Sequence, residues 1–245
     1  MEPETDVRSA QTTNSGNSRR FNMQKVFDKD LLPFFALVVV YFIIYNPVLQ
    51  LPPENLTAAF FKVLPVWYLL FFVYFRSYRI QQDKYARHFI CGLLASSLGD
   101  ASLIWREALF IPGMIFFAVA HIFYLFGLSK TVNRTVLKRT QTLFALIYFF
   151  LYLFISFGIE NHVMKTLVFI YSGCIVAVGW LATARYLHDQ SMAGLFGVIG
   201  AFLFTFSDFI IATNKWRFPV PLSGLLIMIS YYSAQLCLTL STVHY

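Results

Sequence analysis

Charge is scarce in this chain. Only 13% of its 245 residues are Asp, Glu, Lys or Arg, where a water-soluble domain carries about a quarter. Hydrophobic residues make up 58%, and Phe alone occurs 28 times. Such a composition cannot cover itself with a surface that water tolerates, so the bilayer is the expected solvent. Cysteine is also scarce. Cys91, Cys174 and Cys237 are far apart, odd in number and all in apolar segments, which reads as small hydrophobes rather than disulfides or metal ligands. His88, His121, His162, His188 and His244 include no i, i+4 pair, so no metal site and no cofactor is expected. No apolar run precedes Leu31, which argues against a cleavable signal peptide. Residues 1–29 are expected to be a disordered polar tail, and residues 30–245 a single membrane domain.

A membrane helix needs about 20 mostly apolar residues, with about 17 as a lower limit. Eight spans are expected: Leu31–Leu49, Ala58–Phe75, His88–Trp105, Phe110–Ser129, Thr142–Gly158, Val163–Thr183, Ala193–Thr213 and Val220–Thr242. The fold class is therefore all-α, a polytopic helical bundle. The basic residues orient it. Arg8, Arg19, Arg20, Lys25 and Lys29 precede span one; Arg76, Arg79, Lys84 and Arg87 follow span two; Lys130, Arg134, Lys138 and Arg139 follow span four; Arg185 follows span six. The opposite side has only Lys62, Arg106, Lys165, Lys215 and Arg217. Fourteen against five is a positive-inside signal that puts both termini in the cytoplasm. The net charge of +7 then reflects topology and anionic headgroups, not nucleic acid. Asn55-Leu56-Thr57 is a glycosylation sequon on the non-cytoplasmic side, close enough to the membrane that it is expected to stay unused.

Against this apolar background two acids stand out: Asp100 in span three and Asp208 in span seven. A carboxylate at membrane depth costs several kcal/mol, about 3 on insertion scales, and marks function by default. Both lie five residues before their spans' non-cytoplasmic ends, or ~8 Å at ~1.5 Å per residue. Gly92 and Gly200 each precede an Asp by eight residues, and Tyr124 and Tyr232 each follow by twenty-four, a weak sign of a parallel repeat of spans three–four and seven–eight. Ser96, Ser97 and Asp100 share a stripe, as do Thr205 and Asp208. A lone intramembrane Asp is as readily a structural group bonded to a neighbouring Ser or Tyr. Two at one depth with similar flanks favour a site. Taken alone, His121 reads as a packing group, and Lys62, Lys215 and Arg217 as snorkelling residues.

The polar stretches also carry a resemblance. Span two has Lys62 with Leu64-Pro65, with Val63 where the family's Lys-Pro-Leu-Pro has its first Pro. Span three runs Gly92-Leu93-Leu94 to Leu98-Gly99-Asp100. Span four has Gly113, Phe117, His121 and Tyr124. Span seven has Phe206-Ser207-Asp208 and then Asn214, and span eight has Tyr231-Tyr232-Ser233-Ala234-Gln235. Through these five stretches the membrane region resembles the YhhN/TMEM86 family, whose characterised members are lysoplasmalogenases. The resemblance implies hydrolysis of the vinyl ether of lysoplasmenyl-ethanolamine or -choline, giving a fatty aldehyde and the glycerophospho-alcohol. It also implies the endoplasmic reticulum for a eukaryotic source. The chemistry suits an acid pair. Vinyl ethers hydrolyse by protonation at carbon, through an oxocarbenium-like centre that water captures. Burial disfavours the charged form of a carboxyl, and a second carboxyl lets one be protonated while the other is ionised, as in glycosidases. Asp100 and Asp208 are thus expected to act as acid and base in an order the sequence leaves open. His121, Tyr124, Tyr232 and Gln235 are expected to hold water or the glycerol hydroxyls, with Lys62, Asn214, Lys215 and Arg217 nearer the headgroup.

Two other classes compete. A proton-coupled transporter, or a lipid-binding protein without turnover, also suits paired acids. Against it, no span is expected to break at midplane, with Pro65, Pro112 and Pro221 placed near helix starts. An intramembrane aspartyl protease would need Gly where Ser97 stands, and Tyr where Ser207 precedes Asp208. The sequence does not specify oligomeric state; the expected partners are a lysophospholipid and the bilayer.

Overall fold

The computed structural model describes residues 29–48, 51–78 and 84–243. The tail up to residue 28, and with it four of the basic residues counted there, lies outside the described residues, as does Arg79. Among the described residues, a short 3-10 turn at Lys29–Leu31 is followed by eight α-helices: α1 Leu32–Tyr45, α2 Leu56–Val73, α3 Lys84–Ser102, α4 Phe110–Leu128, α5 Arg134–Ser156, α6 His162–Asp189, α7 Met192–Trp216 and α8 Ser223–Leu240. No strand occurs among the described residues. One π turn, Tyr74–Tyr78, continues α2.

Six helices, α2 and α4 to α8, are long and apolar enough to cross a membrane, which makes the chain a multi-pass membrane protein. The other two fall short of that measure. α1 has 14 residues and stops where Asn46 turns left-handed ahead of Pro47. α3 carries Lys84, Arg87, Ser96, Ser97 and Asp100 within its 19 residues. α5 starts eight residues before the expected span because Asn133 caps it through Thr135 N at 2.8 Å. Asn-capped starts of this kind satisfy the orphan amides of a first turn.

Asn55 does the same for α2, accepting from Ala58 N at 2.8 Å. This early start puts Pro65 in the middle of α2, buried, rather than near its beginning. The helix nevertheless runs on to Val73, although Pro65 has no N–H to donate. Beside it, Tyr232 of α8 donates to the Lys62 carbonyl at 2.9 Å.

Consecutive helices other than α4 and α5 pack against one another, most extensively α3 on α4 and α7 on α8. Two packings between helices distant in sequence, α4 on α6 and α2 on α8, close the bundle. The core is aromatic, with Tyr41, Phe89, Tyr124, Phe204 and Tyr232 among its largest sealed side chains. α5 lies at the edge and exposes Leu143, Leu146, Phe149 and Phe150. At the opposite end from the acid pair, Arg185 is buried within α6 rather than standing in a loop. Its guanidinium donates to the Tyr85 hydroxyl at 2.7 Å and the Ser241 carbonyl at 3.2 Å, and pairs with Asp189 at 3.5 Å. These bonds tie α3, α6 and the end of α8 together.

Candidate active site

Asp100 and Asp208 sit in two separate polar networks joined by aromatic rings. Asp100 is two residues from the end of α3 and is 1% exposed. The Lys62 ammonium lies 3.5 Å from its Oδ1 and donates to its main-chain carbonyl at 3.3 Å. One cation thus meets both the carboxylate and an orphan carbonyl at a helix C-terminus, where positive charge is favoured. Tyr231 donates to Asp100 Oδ2. Gln235 steadies Tyr231 through Nε2 at 3.0 Å and accepts from Tyr124 at 3.3 Å, and Tyr124 meets Ser96 at 3.4 Å.

Asp208 is eight residues from the end of α7. Tyr171, on α6, donates to its Oδ2. His121 Nε2 is 4.0 Å from the same oxygen and 3.4 Å from the Tyr171 hydroxyl. Between the two networks, Phe117, Phe204 and Tyr231 meet edge to face, with ring centroids 5.4–5.9 Å apart. Phe204 also packs on His121 at 4.7 Å. The contacts from one carboxylate to the other therefore run through Tyr231, Phe204 and His121.

Two cavities adjoin these networks. A wider vestibule of about 680 Å³ has a mainly apolar lining, including Val48, Leu51 and Met228, into which Lys62, Arg106, Glu107, Asn214 and Lys215 bring polar groups. A narrower cleft, about 90 Å³, is walled almost wholly by apolar side chains of α4 to α7 such as Met114, Leu151, Ile175 and Phe209, with Asp208 and Tyr171 in its wall. Leu103, Phe110 and Ile211 line both, so the two adjoin there. Asp208 lies one helical turn before Ile211.

The expected site residues fall into three groups. Lys62, Asn214 and Lys215 line the vestibule, and Asp208 lines the cleft. Asp100, His121, Tyr124, Tyr232 and Gln235 are sealed behind these cavities. Arg217 is at neither; its guanidinium stacks on Phe154 at 4.9 Å, because α7 ends at Trp216 and turns that side chain toward α5. Three residues at the cavities went unread from the sequence. Arg106 and Glu107 lie between helices, and Arg106 counted only as a topology marker. Tyr171 follows Leu167-Val168-Phe169-Ile170 in a run that presents it as ordinary apolar bulk. Lys215 pairs with the exposed Glu107 at 3.4 Å and lies over Phe110 at 4.5 Å. Arg106 pairs with Glu54 at 3.3 Å. Exposed pairs of this kind hold weakly, although Arg106 also donates to the Pro52 carbonyl.

The chain is similar to proteins of known class. The YhhN family profile matches residues 57–242. Lysoplasmalogenase TMEM86A of Homo sapiens is 35% identical, over 87% of this chain and 88% of that protein. Lysoplasmalogenase TMEM86B of Sus scrofa is 34% identical, over 91% and 90%. A lysoplasmalogenase homolog of Dictyostelium discoideum is 26% identical over 66% of this chain and 64% of its own length. No solved structure matches it.

Proposed function

The chain belongs to the YhhN family, and from that premise we propose that it is a lysoplasmalogenase. The observation that carries the reading is the meeting of a vestibule bearing three cations, Lys62, Arg106 and Lys215, with an apolar cleft at Leu103, Phe110 and Ile211, with Asp208 one turn away. A lysoplasmenyl lipid has the same division. Its phosphate and glycerol are polar, its alkenyl tail is apolar, and the vinyl ether joins them. With the headgroup among Lys62, Arg106 and Lys215 and the tail along Met114, Ile175 and Phe209, the vinyl ether falls at the seam. The cleft is narrow and open rather than sealed, so the tail keeps one side against lipid.

The reaction then follows from the carboxyl at the seam. Asp208, protonated, gives its proton to the outer alkene carbon. The π electrons form the new C–H bond, and an ether oxygen lone pair makes the oxocarbenium ion. Water adds to the inner carbon, the one bonded to the ether oxygen, and returns a proton to the Asp208 carboxylate. The hemiacetal then breaks the bond from that carbon to the glycerol oxygen, which takes a proton and leaves as the alcohol, while the hydroxyl gives up its proton and the tail leaves as the aldehyde. One water is consumed and the acid is restored. General acid–base assistance of this kind contributes about 10²–10⁴-fold. Asp100, ionised beside Lys62, supplies the second carboxyl. It holds the ammonium at the vestibule wall and contributes negative charge on the side of the developing cation. Both termini are placed on the cytoplasmic side, with the vestibule opening on the other.

Aldehyde release from lysoplasmenyl-ethanolamine by the purified protein tests the reading. The wild type is expected to turn over. Asp208→Asn is expected to lose at least about 100-fold in kcat, and Asp100→Asn to lose activity while remaining folded. A purified protein that binds the lipid but releases no aldehyde would be a carrier and not this enzyme.

A further inference from the structure

Among the described residues, Tyr171 is the one polar side chain that hydrogen-bonds the Asp208 carboxyl and shares its cleft. Both it and His121 approach Oδ2, and no hydrogen bond to Oδ1 occurs among the described residues. His121 is 1% exposed, lines neither cavity, and has an Nδ1 with no hydrogen-bond partner among the described residues. Its ring is fixed by packing, on Phe204 at 4.7 Å and Tyr171 at 5.6 Å. A neutral imidazole has one donor and one acceptor nitrogen, and a sealed N–H without a partner is rarer than a bare acceptor. The proton therefore belongs on Nε2, which lies 3.4 Å from the Tyr171 oxygen. The three helices α4, α6 and α7 thus bring together a directed chain of donors: His121 to Tyr171, and Tyr171 to Asp208 Oδ2.

We propose that this chain is a positioning device for the Asp208 acid, a role that rests on the lysoplasmalogenase reading. Tyr171 occupies Oδ2 and so keeps the transferable proton on Oδ1, toward the alkene. When that proton leaves, the Tyr171 bond goes from a neutral to a charge-assisted one and strengthens about twofold. Donors in series polarise one another, so His121 adds to the same effect through Tyr171 without touching substrate. An interaction that is stronger after proton transfer than before it raises kcat and leaves substrate affinity alone.

The experiment is aldehyde release by the purified full chain, with kcat and KM measured separately for Tyr171→Phe, His121→Gln, His121→Leu and the Tyr171→Phe/His121→Leu double variant. Tyr171→Phe removes one oxygen and keeps the cleft wall. It is expected to lower kcat about 10- to 100-fold, less than the 10²–10³ for a donor that meets the reacting atoms directly, with KM within about twofold. His121→Gln can still donate to Tyr171 and is expected to keep more activity than His121→Leu. Because His121 acts through Tyr171, the double variant is expected to be no slower than Tyr171→Phe within about twofold. Wild-type kcat in Tyr171→Phe, a loss confined to KM, or losses that multiply in the double variant would each overturn the proposal. If Tyr171→Phe does not elute as a folded protein, the Gln and Leu variants at His121 read the same contact, and equal loss in both overturns it. A wild type that releases no aldehyde removes the activity and this role with it. An active wild type beside an unimpaired Tyr171→Phe removes this role alone.

Discussion

Lys62 and Asp100 are unequal partners. The Lys62 side chain is 11% exposed and lines the vestibule, whereas the Asp100 side chain is 2% exposed and lines neither cavity. Removing either leaves the other charged, but not in the same place. Asp100→Asn leaves an ammonium that still reaches vestibule water. Lys62→Met strands a sealed carboxylate with only Tyr231 to satisfy it, and breaking a buried pair from one side costs about 3–5 kcal/mol. Lys62→Met is therefore expected to lower the thermal unfolding temperature in detergent more than Asp100→Asn does. The Lys62→Met/Asp100→Asn double variant is expected to recover much of that loss. A double variant less stable than Lys62→Met would show that the pair is not what holds Asp100. Sequence spacing alone made Lys62 a snorkelling residue, because nothing in the chain near it names a partner. The partner is 38 residues away.

At the scale of elements, Gly92 and Gly200 sit where neighbouring helices come close. A Cβ on Gly92 would fall 2.2 Å from the Tyr124 ring, and one on Gly200 would fall 2.8 Å from the Leu238 main-chain nitrogen and 3.0 Å from the Ala234 carbonyl. Small residues of this kind let membrane helices approach closely. Gly197, one turn earlier on α7, has ordinary room: its nearest neighbour would be the Ser241 Cβ at 3.5 Å. Gly200→Ala must push α7 from α8 against backbone and is expected to cost about 1–3 kcal/mol, whereas Gly197→Ala is expected to be nearly neutral. Thermal stability of the two variants side by side checks this. The repeat suggested by Gly92/Asp100/Tyr124 and Gly200/Asp208/Tyr232 is met in the glycines, each of which sits at a close approach of two helices. It is not met in the tyrosines: Tyr124 joins Gln235 and Ser96, while Tyr232 donates to the Lys62 carbonyl. Equal sequence spacing reproduces a helix–helix approach, but each hydrogen-bond partner comes from whichever third helix packs there.

Across the whole molecule, the vestibule and the buried Arg185 cluster lie at opposite ends of the bundle. Counted along the sequence, the basic residues divide fourteen to five, and the proposed orientation, which follows the positive-inside rule, faces the vestibule away from the cytoplasm. A cysteine placed at Glu160, in the exposed turn between α5 and α6, and one at Lys130, after α4, are expected to react with a membrane-impermeant maleimide from opposite sides of sealed vesicles. Labelling of both from one side would overturn the orientation. With the orientation as proposed, the glycerophospho-alcohol leaves on the non-cytoplasmic side and the aldehyde stays in the bilayer.

Composition and hydrophobic runs were sufficient to determine an all-helical membrane protein and close boundaries for most of its helices, and they singled out the two acids on which the proposal is built. Those signals are local: an apolar run has its length and an intramembrane carboxylate its cost whatever surrounds them. The tertiary structure decided what each acid does with its neighbours. It gave Asp100 to Lys62 and Tyr231, gave Asp208 to Tyr171 and His121, and put only Asp208 in the wall of a cavity. It also set Arg217 aside and brought in Arg106 and Tyr171. Hydrogen-bond partners 37 to 131 residues apart depend on which helices pack together, and hydropathy carries no record of that choice.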